Sequence, residues 1–214
     1  MIWINNNLAQ IVDLLGRHAL IALPVILITI ALSIPIGWIA SCKRRLGEPL
    51  ISGLELLYAI PSLALFVLIP ALFGVSLRSY ANIVIVLTIY GVAVLVRSCT
   101  KAFESVPRDV QNAADACGFS RWERFWSVDL PLSLPVCLAG IRVMAVSTIS
   151  LVTVGSVIGI QSLGTLFTDG FQRGIMEEVG VGLLLTVVFA LLIDGLIVII
   201  GKMLMPWTRR KRCS

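Results

Sequence analysis

The 214-residue chain has one histidine, His18, and its five cysteines (Cys42, Cys99, Cys117, Cys137 and Cys213) show no C-x-x-C spacing. A single histidine leaves no His-rich metal site and no Ser-His-Asp triad except one built on His18. The cysteine spacing carries neither a zinc nor a redox signature, so no metal and no cofactor is expected. Charge is also scarce: Asp, Glu, Lys and Arg make up 14% of the residues, against about 25% in a soluble domain. What is abundant is apolar, at 58% of the chain with a mean hydropathy of +0.98. This balance excludes an ordinary water-soluble enzyme, a disordered chain and a nucleic-acid-binding domain. The excess apolar surface needs a bilayer as its solvent. The length leaves no room for a separate soluble domain, so the expectation is one all-α integral membrane unit.

Five apolar stretches stand out, at Ala19–Ser41, Leu54–Gly74, Ala81–Val96, Leu132–Ile158 and Val181–Leu204. All but the third reach the roughly 20 residues that cross about 30 Å of hydrocarbon as a helix. The third is short unless Ser79, Tyr80 and Ser98 sit in the headgroup layers. With the N-terminus outside, 13 of the 17 Lys and Arg fall inside, three (Arg17, Arg78 and Arg173) fall outside, and Arg142 lies within a span. The positive-inside bias therefore predicts N-out, C-in with five crossings. It also explains the net charge of +5 as topology, with no nucleic-acid partner. Residues 1–18 then form an extracytoplasmic segment and 205–214 a basic cytoplasmic tail. Four of the cysteines lie on the reducing side and Cys137 in the membrane, so no structural disulfide is expected.

Three motif lookalikes dissolve on inspection. Ile39-Ala40-Ser41-Cys42 resembles a lipoprotein cleavage box, but Lys43-Arg44-Arg45 directly after it favours an inside end of a first membrane helix. Gly195 to Lys202 ends in Gly-Lys like a phosphate loop, yet its spacing is wrong and Met203 stands where Ser or Thr belongs. Gly155-x-x-x-Gly159 has the spacing of close helix packing, a pattern that arises often by chance in apolar segments.

The longest polar stretch, Ser98 to Pro131, carries the most information. Val106, Val110, Ala113, Ala114 and Cys117 recur at three- and four-residue spacing, which predicts one amphipathic helix after Pro107, stopped by Gly118. Ser120 with Glu123 forms a capping box for a second short helix whose bulky side is Trp122, Phe125 and Trp126. Neither helix is long enough to stand alone. Periodicity leaves two docking places open: their own membrane bundle, or a groove on a partner protein.

The residues here resemble a known signature. Asn112-Ala113-Ala114, then Gly118, then Val128-Asp129-Leu130-Pro131 nine residues on, is similar to the E-A-A-x-x-x-G-x9-I-x-L-P loop of ABC importer permeases, with Val128 for Ile and Asn112 for Glu. Ile60-Pro61-Ser62-Leu63-Ala64-Leu65, Ala139-Gly140-Ile141-Arg142 and Ser162-Leu163-Gly164 extend the resemblance to permeases for glycine betaine, carnitine or choline, over nearly all of 19–201. The resemblance implies a type 1 transmembrane domain whose loop is a coupling helix seated in a cytoplasmic ATPase subunit. Asn112, Ala113, Ala114, Gly118, Phe119, Trp122, Leu130 and Pro131 would carry the coupling. It further implies a second permease subunit, the same chain or a related one, and an extracytoplasmic substrate-binding protein. The Glu-to-Asn change removes a carboxylate at the loop. Arg108, Arg121 and Arg124 are either partners of acidic groups on the ATPase or plain cytoplasmic anchors.

Within the spans, Arg142 and Asp194 are the ionisable residues, and the expectation is that they pair as structural glue. Pro61 and Pro70 are expected to break the second span, with freed carbonyls lining a cavity or closed by packing. Pro61, Ser62, Tyr90, Gln161 and Ser162 are the candidate pathway residues. With 16 aromatics and no sequence cluster, selectivity for a quaternary ammonium is expected to reside in the binding protein. Other readings are an importer permease for another small solute such as an amino acid, and an autonomous secondary transporter. The second is disfavoured because no internal repeat is found. A membrane enzyme is disfavoured because the polar loops hold no nucleophile–base or metal constellation.

Overall fold

The computed structural model describes residues 7–207, apart from the side chains of Arg44 and Leu46. Every regular element among them is helical: α1 (Leu8–Cys42), α2 (Arg44–Ala59), α3 (Ser62–Phe73), α4 (Tyr80–Glu104), α5 (Arg108–Ala116), α6 (Arg121–Arg124), α7 (Leu130–Val154), α8 (Gly164–Arg173) and α9 (Met176–Leu204). A π-helical stretch, Phe125–Asp129, joins α6 to α7, and a 3-10 turn, Gly155–Ile158, follows α7.

Four of these helical runs are long and apolar enough to cross a membrane, and a fifth crossing results if α2 and α3 count as one bent unit. The directions of packing show that this unit returns the chain to the starting end. Leu20 meets Tyr80, Thr29 meets Gly91 and Gly37 meets Cys99, so α1 and α4 run parallel. The segment between them must bring the chain back to the starting end, and only α2 and α3 are available. α7 runs antiparallel to α4 (Gly140 beside Ser98, Gly155 beside Ile83), and α9 antiparallel to α7 (Gly201 beside Leu138). The crossings are close because glycine makes them so. A Cβ on Gly37 would lie 2.6 Å from Cys99 Cβ, and one on Gly140 would lie 2.6 Å from Ser98 Cβ.

The structure differs from the sequence reading in four places. The first helix begins at Leu8, eleven residues before the apolar stretch, so residues 8–18 are helical and continuous with it. Ile11, Leu14, His18 and Ile21 continue its buried stripe, and Leu14 packs with Leu163 and Leu166. His18 is buried with its ring edge-on to Phe189 of α9, 5.4 Å between centroids. The third crossing is not short, because α4 has 25 residues and Ser79 caps it by accepting from Asn82 N–H at 3.1 Å. The second span bends by 105° at Ile60–Pro61, whereas Pro70 lies inside an unbroken α3. Gly159 ends the 3-10 turn with φ of +87°, so the Gly155/Gly159 pair is a turn and not a helix-packing motif.

The prolines explain how these helices survive. Proline has no N–H, so the carbonyl four residues earlier loses its partner. The carbonyl freed by Pro24 is that of Leu20, and the Tyr80 hydroxyl donates to it. The one freed by Pro70 is that of Phe66, and Asn82 Nδ2 donates to it at 3.0 Å. At the bend, the Ile60 carbonyl accepts from the Tyr90 hydroxyl. All three donors stand on α4.

Candidate functional site: the loop between α4 and α7 and the α7–α9 seam

Gly118 has φ of +86° with open space around it, a left-handed conformation that glycine adopts freely. It turns the chain from α5 into α6. Ser120 then caps α6: its hydroxyl accepts from Glu123 N–H at 3.3 Å, while the Glu123 carboxylate accepts from Ser120 N–H at 2.8 Å. The side-chain and then the backbone hydrogen bond to Ser120 hold the Glu123 carboxyl below the usual carboxylate range. α6 does not stop before the membrane. It winds through the π-helical stretch into α7, so loop and span are one continuous rod.

The rod is fixed to the bundle by two sets of contacts. Phe125 is buried, 4.8 Å from Trp38 of α1 and 6.0 Å from Phe103 of α4 between ring centroids, and Trp122 lies 5.6 Å from Trp38. Asp129 is buried and accepts from Trp38 Nε1 at 3.2 Å and Gln111 Nε2 at 3.3 Å. Arg124 Nε approaches the same carboxylate at 3.4 Å, and Arg124 Nη1 donates to Asp115 at 2.7–2.8 Å. One buried carboxylate thus ties α1, α5 and α6 to the start of α7. A buried charge is tolerated only when paired and hydrogen-bonded in this way. Sequence reasoning missed Asp129, which occupies a variable position of the loop signature, and missed Trp38 and Gln111. Arg124 is engaged within the chain. Only the alternation of Asp129 with apolar neighbours offered a local signal.

The aromatic side of the loop faces the chain's own bundle through Phe125, and much else faces outward. Asn112, Ala113, Gly118, Phe119 and Trp122 are exposed, Trp122 by 64%. Ala114 lies buried beneath them, and Leu130 and Pro131 are half-buried at the base. Six of these eight residues lie on α5, α6 and the turn between them, and Leu130 and Pro131 open α7.

The candidate pathway residues separate into different settings. Tyr90 and Tyr58 stand edge to face at 5.8 Å beside the bend, where Pro61 is exposed and Ser62 half-buried. Ser162 is buried and serves a turn: its hydroxyl accepts from Gly164 N–H at 3.1 Å and donates to the Val152 carbonyl at 3.4 Å. Gln161 next to it is exposed. Tyr90 and Ser162 do not come together.

Arg142 and Asp194 do come together. Arg142 Nε and Nη2 donate to Asp194 Oδ1 and Oδ2 at 2.7 Å each, a planar two-pronged contact between α7 and α9. Arg142 stands twelve residues into the 25-residue α7, roughly 18 Å from its start at 1.5 Å per residue. The pair borders a cleft of about 710 Å³ between the two helices.

The ends of the bundle are unlike. Lys43, Arg45, Arg97, Lys101, Arg108, Arg121, Arg124 and Lys202 all lie on elements at the loop end, and Arg17, Arg78 and Arg173 at the other. Residues 208–214, which hold the basic run of the tail, fall outside the described residues.

An all-helical bundle of long apolar helices with an amphipathic loop between α4 and α7 has the architecture of a multi-pass membrane protein. The chain belongs to the family of binding-protein-dependent transport system inner membrane components, which it matches over residues 30–210. It is 27% identical over 194 residues to the osmoprotectant import permease protein OsmW of Salmonella typhimurium (strain LT2), covering 90% of both chains. It is 23% identical over 206 residues to the glycine betaine/carnitine/choline transport system permease protein OpuCB of Bacillus subtilis (strain 168), covering 96% of this chain and 94% of that one. In fold it is similar to the inward-facing MetNI methionine ABC transporter, with a TM-score of 0.81 at 16% identity, over 93% of this chain and 98% of that chain. It is accordingly an ABC importer permease, a non-catalytic, multi-pass subunit of the bacterial cytoplasmic membrane.

Proposed function

We propose that this permease imports small osmoprotectants of the quaternary-amine class, driven by a separate cytoplasmic ATPase. The loop end faces the cytoplasm, giving N-out and C-in, because eight described cations lie there against three at the opposite end. The patch of Asn112, Ala113, Ala114, Gly118, Phe119 and Trp122 seats in a cleft of the ATPase. A second permease subunit completes the pathway, since a single bundle offers only one wall. An extracytoplasmic binding protein delivers the substrate. The substrate class rests on the relatives named above, two of which carry osmoprotectants in their names.

The observation that carries the coupling is the Asp129 hub. A displacement applied to Trp122 cannot be taken up within the loop, because α6 is continuous with α7 and clamped to α1 and α5. It is passed to the spanning helix. Two measurements test this. Radiolabelled glycine betaine or choline uptake into proteoliposomes holding the assembled transporter should require ATP and stop with a hydrolysis-dead ATPase. Cys117, exposed on the loop, should react with a maleimide applied from the cytoplasmic side in permease alone and be protected once the ATPase is bound. Uptake that persists with the dead ATPase, or labelling from outside the cell, overturns the reading.

A further inference from the structure

The seam between α7 and α9 holds a combination that hydrocarbon does not tolerate. Arg142 and Asp194 meet near the middle of α7, yet their side chains are 45% and 21% exposed. An ion pair open to lipid tails at that depth is costly, so in the assembled transporter this cleft faces water, a solute or another protein chain. Its volume of about 710 Å³ lies within the range of small-molecule sites. Beside the pair, Val143, Val146 and Val187 give apolar walls and Ser147 and Ser150 give hydroxyls.

We infer that the Arg142–Asp194 pair is a recognition site within the membrane for a zwitterionic substrate, whose carboxylate is taken by Arg142 and whose quaternary ammonium is taken by Asp194. The inference rests on the function proposed above and adds which osmoprotectants the permease itself selects. Guanidinium has five N–H donors, and Asp194 occupies the Nε and one Nη2 hydrogen. The remaining donors are available to a second carboxylate, with Ser147 and Ser150 nearby. A quaternary ammonium offers no hydrogen-bond donor, so it needs only a negative charge and apolar walls for its methyl groups. A zwitterion laid antiparallel to the pair therefore meets an opposite charge at both ends. A simple cation meets Asp194 at one end and is opposed by Arg142 at the other.

The test compares uptake of radiolabelled glycine betaine, a zwitterion, with choline, a cation, in proteoliposomes carrying the complete transporter. Arg142→Gln is expected to lower the betaine-to-choline uptake ratio about tenfold, the equivalent of one charge-assisted contact. Asp194→Asn lowers uptake of both. Arg142→Lys keeps the charge and loses the fork, and is expected to give an intermediate ratio even where Arg142→Gln does not assemble. A ratio that stays at the wild-type value in both Arg142 variants overturns the inference, since a purely structural pair would depress both substrates in proportion. Wild-type transporter that carries neither compound overturns the osmoprotectant reading and this site with it. Wild-type uptake of both with an unmoved ratio overturns the site alone.

Discussion

The two halves of α7 are held in opposite ways. At its start, Asp129 and Phe125 fasten it to α1, α4 and α5 by hydrogen bonds, an ion pair and stacked rings. Farther along, its neighbour α9 buries only Glu178, Gly182 and Gly201, and the seam between them is bridged by one Arg–Asp contact beside an open cleft. Under the proposed coupling, the tightly fastened end is the one that receives the ATPase and the sparsely packed seam is the one left free to change shape.

The sharpest way to break this contrast is Asp129→Ala. It leaves Arg124 without its buried partner and Trp38 without an acceptor, at an expected cost of about 3–5 kcal/mol. The purified permease should show a clearly lower Tm, and ATP-coupled uptake should be lost. Gly140→Leu comes next. Its side chain would run into Ser98 on α4, and forcing extra atoms into a packed crossing costs about 1–3 kcal/mol. Thermal unfolding should report this without a change in loop accessibility. Ser120→Ala removes a helix cap, worth about 1 kcal/mol. Its effect should appear as faster hydrogen exchange over 120–124 while the rest of the chain is unchanged. On the slack side, Leu191→Ala removes a side chain that is 66% exposed. It should change the unfolding free energy of the detergent-solubilised chain by no more than about 0.5 kcal/mol. A large effect there would mean that the seam is as rigid as the loop end.

Much of this arrangement was readable in the residues. Local signals delivered what local interactions decide: the apolar runs, the charge bias between the two ends, the stop at Gly118 and the Ser120–Glu123 cap. The resemblance of the loop to the importer signature led to the family. What stayed hidden depends on contacts between distant parts of the chain. Asp129 reads as an ordinary polar loop residue until α1 brings Trp38, 91 positions away, within hydrogen-bonding reach. Pro61 and Pro70 look like equal breakers, but the carbonyl that Pro70 frees is capped by Asn82 on α4. The upstream reach of α1 to Leu8 was masked by Asp13 and Arg17. These lie on its outer side and pair with each other at 2.8 Å, leaving the buried stripe of Ile11 and Leu14 uninterrupted.

The donors on α4 have a consequence for motion. Tyr80, Asn82 and Tyr90 button three separate weak places, in α1, in α3 and at the bend before it, onto a single post. If that post turns about its own axis, all three fastenings come undone in the same stroke, and backbone carbonyls that must not be left bare in lipid compel the neighbouring helices to follow. Soft spots that would otherwise flex at random are thereby made to yield together.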